Sequence, residues 1–316
     1  MGKQHSRSAQ ADCFQWFFLH PKYWLTWFGL ALTALLSLLP FSWMLAFGRL
    51  LGRLFYQFGG RRVYIARTNL QRCFPDKTDE ALEVLLKSNC ESVGVGVMEV
   101  LMAWWWPLKR LERKICFEGL EHLKNNQGQG TILMVLHFTT IEIAGAAIAL
   151  RHNLHGTYRT HKNQVFEYMQ RRKRQRYGIN NTGRLIERRD IRGMLRVLRA
   201  GGTVWYSPDQ DYGPKQSVFA PFFGVQAATV TGTSRLAHIG NARVVPMTMA
   251  RLPGTEGYVV KIHAPLEWAA GNDNKTDATQ LNAFIEERVR EHPEQYMWLH
   301  RRFKTRPVGE ETFYRR

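Results

Sequence analysis

The pattern of apolar positions changes along the chain. From Tyr23 to Gly48 there is no charged residue, with Lys22 before the run and Arg49 after it. The stretch WLTWFGLALTALLSLLP is apolar up to Pro40. As a helix, Tyr23 to Leu39 would rise roughly 26 Å, close to the thickness of a bilayer core. Trp24, Trp27 and Trp43 stand near its ends, where indole rings favour the headgroup level. This predicts an N-terminal membrane anchor helix. After Pro40, FSWMLAFGRLLGRLFYQF has its apolar residues broken only by Arg49 and Arg53, which predicts an interfacial helix beside the first. A cleaved signal peptide needs a shorter apolar run and a small-residue site, and no convincing site is present. A hairpin buried in a core stays open as an alternative, because Pro40 breaks the run early. Arginines 49, 53, 61, 62 and 67 enrich the C-terminal flank, which places the main domain on the cytoplasmic side.

Residues 1–60 thus read as anchor and interfacial helix, and 61–108 as a helical collar. In the collar TDEALEVLLKSNCESVGVGVMEVLMAW has apolar residues at helical spacing, with Thr78 or Asp79 as cap and Trp104-Trp105-Trp106-Pro107 as its end. Residues 109–316 alternate strands and helices. TILMVLH follows the turn NNQGQG as a buried strand, and TIEIAGAAIALRH is a helix. A very basic helix runs from Phe166 to Arg176, and DIRGMLRVLRAGG is an amphipathic helix from Asp190 to Gly201-Gly202. TVWYS, ARVVPMTMAR and GYVVKIHAP are strands, and DATQLNAFIEERVREHP is a helix ended by Pro293. Strands separated by helices predict an α/β sheet covered on both faces.

Charge narrows the partners. Forty-four Lys and Arg stand against 26 Asp and Glu, a formal net charge of +18, so the field favours anions: nucleic acid, anionic lipid or an acidic protein. Mean hydropathy is −0.33, so most of the chain is not embedded in lipid. Residues 159–199 hold thirteen Lys or Arg against Glu167, Glu187 and Asp190, densest at Arg171, Arg172, Lys173, Arg174 and Arg176. Such a run serves as a solvated face or as an anion-binding surface. No recognition-helix, zinc or RNP signature accompanies it, so nucleic acid is not expected as a partner. The four cysteines form no CxxC pair and read as reduced thiols.

His137 and Glu142 carry the sharpest chemical signal. His137 closes a buried strand, and Glu142 lies in the first turn of the next helix, at the crevice where open α/β sheets bind ligands. Across that turn a carboxylate is expected to touch the imidazole, fix its tautomer and support its protonated form. The bland alternative is a strand-end histidine bonded to a carbonyl. HExxH, GxSxG and GxxxxGK[ST] are all absent, which disfavours a zinc hydrolase, a serine hydrolase of that type and a P-loop enzyme. Arg159 follows another strand and is placed to reach the same crevice. The loop Pro208-Asp209-Gln210-Asp211-Tyr212-Gly213-Pro214 is polar and turn-forming at a third strand end. Phe219, Phe222 and Phe223 beyond it either line an alkyl slot or sit in the core.

Together these blocks resemble the late acyltransferases of lipid A biosynthesis. The resemblance rests on His137-x4-Glu142, Tyr158-Arg159 with Asn163, PDQDYGPKQSVFAPFFG from Pro208, and EQYMWLHRRFKTRP from Glu294, in that order. Gln164 stands where the family usually has proline. The resemblance implies a mixed α/β sheet flanked by helices, like that of glycerol-phosphate acyltransferases. It also implies a location at the bacterial inner membrane and no cofactor. The acyl chain, of lauroyl or myristoyl type, would come from an acyl carrier protein thioester. Its acceptor would be a hydroxyl on a hydroxyacyl chain of a Kdo-bearing lipid A precursor. His137 is then expected as general base and Glu142 as its support, with Arg159, Asn163, Arg174, Asp209 and Asp211 as substrate-binding residues. A glycerophospholipid acyltransferase is the nearest alternative. A non-enzymatic membrane protein that binds anionic lipid or nucleic acid is the alternative from another class.

Overall fold

The computed structural model of the chain describes residues 13–124, 128–176, 185–267 and 273–314. The turn residues 125–127 lie outside them. The strands in chain order are β1 (Ile115–Glu118), β2 (Gly130–Val135), β3 (His155–Tyr158), β4 (Ile186–Glu187), β5 (Thr203–Tyr206), β6 (Ser217–Phe222), β7 (Val225–Val230), β8 (Ala242–Arg251) and β9 (Tyr258–Ile262). Seven of them form one sheet in the order β1-β9-β8-β2-β5-β3-β4. All its pairings are parallel except β8 with β9, so the sheet is mixed.

Central strand β2 is buried at every position, as a strand covered on both faces must be. Its alternate residues feed two cores. Leu133 and Val135 join the cluster that contains Leu30, Met44, Met102 and Ile143. Ile132, Met134 and Leu136 join the cluster that contains Leu70, Met194, Leu236 and Ile285. The helices sort accordingly. α1 (Trp24–Leu36), the first half of α2 (Phe41–Phe58) and the helix after β2 pack on the first face. α3 (Gly60–Cys73) packs on the second. α4 (Asp79–Trp105) contributes to both, from Leu82 and Leu86 to Met98 and Trp104. Thr78 caps α4 by accepting from Ala81 N at 3.2 Å, as its sequence predicts. The remaining helices are α5 (Leu108–Glu112), α6 (Glu121–Lys124), α7 (Ile141–Ala149), α8 (Gln164–Gln175), α9 (Ile191–Arg199), α10 (Gly232–Gly240) and α11 (Asn274–Glu291).

The expected bilayer-spanning helix is not formed. Among the described residues no helix is long and apolar enough to cross a membrane. α1 has 13 residues, a rise of about 20 Å. It stops at Leu36 because Pro40 cannot continue it, and the body of the protein takes up the freed carbonyls. Trp106 Nε1 donates to Ser37 O at 2.9 Å, and Arg110 Nη2 donates to Leu39 O at 2.9 Å. The turn before Pro40 is thereby pinned against the end of α4. α2 is amphipathic as read: Met44, Leu45, Gly48 and Gly52 are buried, while Trp43, Leu50, Leu54 and Phe58 are exposed.

The aromatic stretch after β5 is also resolved. β6 and β7 form an antiparallel hairpin whose two-residue turn, Phe223-Gly224, has φ of 50° and 74°. Two positive φ values make the turn type whose twist suits a hairpin. Phe222 and Phe223 are buried in the second core and Phe219 is half-buried. The first two therefore do not line an alkyl slot.

α2 and α4 cross in close contact through glycines. A Cβ on Gly48 would lie 2.7 Å from Val95 Cα, and one on Gly94 would meet the backbone of Gly48 and Gly52. The neighbours are main chain and cannot swing away. Gly94→Ala gains helix propensity but forces the helices apart, and a net loss of about 1–3 kcal/mol is expected. Chemical denaturation of the detergent-solubilised protein checks this; an unchanged midpoint would show that the crossing has slack.

Candidate active site

Parallel register places two candidate site residues side by side. β2 and β5 pair from Thr131 opposite Thr203 to Met134 opposite Tyr206. Three residues further along each chain stand His137 and Asp209. The Asp209 carboxylate accepts twice from His137: Oδ2 from the backbone N at 2.7 Å, and Oδ1 faces ring Nδ1 at 2.6 Å. Asp209 is fully buried in its side chain and His137 is 22% exposed. Burial pushes the Asp209 carboxyl up, but its bonds and attraction to His137 outweigh this and hold it below its ordinary value. Asp209 is therefore a carboxylate at neutral pH. It keeps a proton on Nδ1 and leaves Nε2 as the basic nitrogen, the tautomer a general base needs.

The partner predicted for His137 is thus corrected. Glu142, the second residue of α7, turns to α8 instead. Its Oε1 accepts from Arg174 Nε at 2.9 Å and from Trp104 Nε1 at 3.0 Å, and its Oε2 from Arg174 Nη2 at 2.6 Å. This fork ties α4, α7 and α8 together. Burial raises the Glu142 carboxyl, Arg174 lowers it more, and the net position is below the ordinary value. Arg174, expected at the substrate, is occupied by this pair.

Asn163 caps α8. Its Oδ1 accepts from Val165 N and Phe166 N, and its Nδ2 donates to Thr26 of α1 at 2.8 Å. Gln164, at the position where proline was expected, accepts from Tyr23 OH at 2.7 Å. The Tyr158–Asn163 block thus secures α8 against the N-terminal segment. Asp211 is buried and braces its own loop, accepting from Thr305 N at 2.6 Å, Thr305 Oγ1 at 2.9 Å and Gly213 N at 2.8 Å. Arg159 is exposed just past β3, on the same sheet edge as His137 and Asp209. Within the basic run, Arg171 is buried with its guanidinium on Tyr158 OH, whereas Arg172 is exposed. Lys173 lies 3.6 Å from the Trp105 ring centre; burial, with Arg176 and Arg172 nearby, lowers its ammonium to about 8.

Several supporting residues had no role in the sequence reading. Met297 N donates to His137 O at 2.9 Å, and Thr139 N donates to Gln295 O at 2.7 Å. The EQYMWLH segment therefore backs the turn that bears His137. Gln295 also accepts from Arg251 N and donates to Arg251 O. The Arg251 side chain donates to Glu99 at 2.7 Å and Ser92 at 3.0 Å, and Ser92 bonds Thr139 at 2.8 Å. Gly96 completes the fit: a Cβ there would lie 2.8 Å from Thr139 O. Ser92, Gly96 and Glu99 recur at helical spacing on one face of α4, and that recurrence is the signal sequence alone offered. His300 accepts from Asp211 N at 3.1 Å, and burial lowers it to about 4, so it is neutral. Among the described residues no group of three or more His, Cys, Asp or Glu is placed to hold a metal.

Comparison with known proteins identifies the family. The family model for the bacterial lipid A biosynthesis acyltransferase matches residues 12–305. The lipid A biosynthesis palmitoleoyltransferase of Escherichia coli K12 is 40% identical over 300 residues, 94% of this chain and 96% of that one. The lauroyltransferase of the same organism is 40% identical over 294 residues, covering 92% and 95%. A solved 1-acyl-sn-glycerophosphate acyltransferase from Thermotoga maritima is 15% identical with a TM-score of 0.33, covering 78% of this chain and 92% of that one.

Glu142→Gln leaves the partly buried Arg174 cation without its counter-charge, and a loss of about 2 kcal/mol at neutral pH is expected. Because the folded protein holds the Glu142 carboxyl below its ordinary value of 4.5, its contribution is present above that value and fades as pH falls below it. The gap between wild type and variant in denaturation midpoint should therefore close on acidification. A gap that is the same at pH 7 and pH 3.5 would contradict the pairing.

Proposed function

The chain belongs to the bacterial lipid A biosynthesis acyltransferases, and from that premise we propose that His137, oriented by Asp209, catalyses direct acyl transfer from a thioester to a lipid hydroxyl. The donor is an acyl carrier protein thioester with a chain of lauroyl, myristoyl or palmitoleoyl type. The acceptor is a hydroxyl on a hydroxyacyl chain of a Kdo-bearing lipid A precursor. Nε2 of His137 takes the hydroxyl proton as that oxygen attacks the thioester carbonyl. The carbonyl carbon–sulfur bond then breaks, and the leaving thiolate takes the proton back from the imidazolium. The reaction balances without a cofactor, because the thioester is already activated. The single observation that carries this reading is the double hold of Asp209 on His137 at the ends of adjacent parallel strands.

Glu142 supports catalysis at one remove, by fixing α7 and α8 around the site through Arg174 and Trp104. Arg159, exposed on the catalytic edge, and Arg172 on α8 bind acceptor phosphate or carboxylate and help stabilise the developing oxyanion. The exposed apolar side chains of the N-terminal segment seat the protein on the bacterial inner membrane with the catalytic domain on the cytoplasmic side. Trp16, Leu25, Phe28, Leu38, Trp43 and Phe58 are each more than 60% exposed. Among the described residues no helix is both long and apolar enough to cross a membrane, and these side chains embed in one leaflet.

His137→Ala is expected to lower kcat at least roughly 100-fold while the fold persists. Asp209→Asn should also be severely impaired, and the double variant little worse than the worse single one, because the two act as a unit. Mass spectrometry of products from defined thioesters and lipid A precursors measures this; near-normal transfer by folded His137→Ala would overturn the mechanism. In membrane fractions the protein should resist alkaline carbonate and high salt and be released by detergent. Quantitative release by carbonate would remove the leaflet-embedding reading.

A further inference from the structure

α9 presents a second basic surface, separate from the run on α8. Gly193, Met194 and Leu198 are buried toward the sheet, while Arg189, Arg192, Arg196 and Arg199 are exposed. Spacings of four and three put Arg192, Arg196 and Arg199 in one line along the helix, with Arg189 just before its cap. The one acid within this stretch, exposed Asp190, caps α9 by accepting from Gly193 N; α9 and neighbouring α10 themselves contain none, and α10 adds exposed Arg235 and His238. The side chains of Arg192 and Arg196 make no hydrogen bond or ion pair with another described residue. Ile191 and Ile239, 48% and 46% exposed, supply apolar contact points within this positive field. Arginine with scattered apolar contacts is the composition of a protein-binding face.

Its place in the fold selects the partner. α9 packs on the sheet face that holds Met194 and Leu198 in the second core. The membrane-seeking α1 and the first half of α2 pack on the opposite face. The arginine line thus looks away from the surface that enters the leaflet, toward soluble partners. Its N-terminal end reaches the catalytic edge: the Arg188 guanidinium lies 5.8 Å from the Tyr212 ring centre, in the loop that carries Asp209.

We propose that the Arg189–Arg199 face docks an acidic surface of the carrier protein that delivers the acyl thioester, with the acyl arm entering past Arg188 and Tyr212. This rests on the carrier-thioester reading above. Charge complementarity at such a face acts on encounter and on KM rather than on the chemical step.

The test uses full-length Arg192→Glu/Arg196→Glu in detergent micelles, with lauroyl-loaded acyl carrier protein as probe. Affinity for the loaded carrier, titrated without acceptor, should weaken by roughly tenfold or more, and KM for it should rise in step. Saturated kcat, KM for the lipid acceptor and transfer from lauroyl-pantetheine, which lacks the acidic protein, should be unchanged. Wild-type affinity should fall with added salt more steeply than that of the variant. Unaltered carrier affinity in the variant would overturn the proposal. An equal loss with lauroyl-pantetheine would also overturn it, as would a loss confined to binding of anionic vesicles. If wild type bound the carrier through this face yet transferred no acyl group from any thioester, docking would stand and the acyl-transfer reading would fail.

Discussion

The double hold of the Asp209 carboxylate on His137 is the constraint around which the site is arranged. It needs a fully buried carboxylate, which is costly unless charge and hydrogen bonds compensate. Here one oxygen is met by a backbone N–H and the other by the ring nitrogen. Parallel pairing of β2 with β5 delivers both residues to the same level without a special loop. A one-residue slip of that pairing would separate them and invert the faces of β2, exchanging the residues of the two cores.

The helical layers hold the turn that bears His137 in place. α4 meets the catalytic turn with Ser92 and Gly96 and anchors Arg251 through Glu99, while its other face meets α2 through Gly94. The backbone near Thr139 approaches α4 so closely that a side chain at Gly96 has no room. Further along, Trp104 joins the Glu142–Arg174 fork, so the same helix reaches both the middle and the C-terminal end of the HFTTIE segment. The C-terminal segment from Gln295 to Met297 closes the turn from behind through backbone bonds. A site held from several elements in this way keeps its geometry while a long acyl chain and a bulky lipid enter it.

The exposed tryptophans, leucines and phenylalanines of the N-terminal segment and the arginine line of α9 lie on opposite faces of the sheet, while the basic run of α8 shares the apolar face. Under the proposed function, a bilayer-borne acceptor and a soluble acidic donor would approach from different directions and meet at the strand ends.

Much of this organisation was written in local patterns. Alternation of strand and helix, the continuous burial of TILMV, the Thr78 and Asp190 caps and the amphipathic α2 and α9 are all set by neighbours within a few residues. The position of His137 at a strand end and the motif blocks that mark the acyltransferase family were legible in the same way. What only tertiary structure decided are pairings between distant segments. Asp209 lies 72 residues from His137, and no local periodicity says that its strand pairs with β2, so the nearer Glu142 looked like the partner. Arg174 takes Glu142 because α8 packs beside α7, and Asn163 caps a helix and holds Thr26 where a substrate contact was expected. The apolar run before Pro40 has nearly the length of a membrane span, yet Trp106 and Arg110 capture the carbonyls at its break and fold it back against the domain. Sequence specifies which groups need partners; the packing of remote elements determines which partners they find.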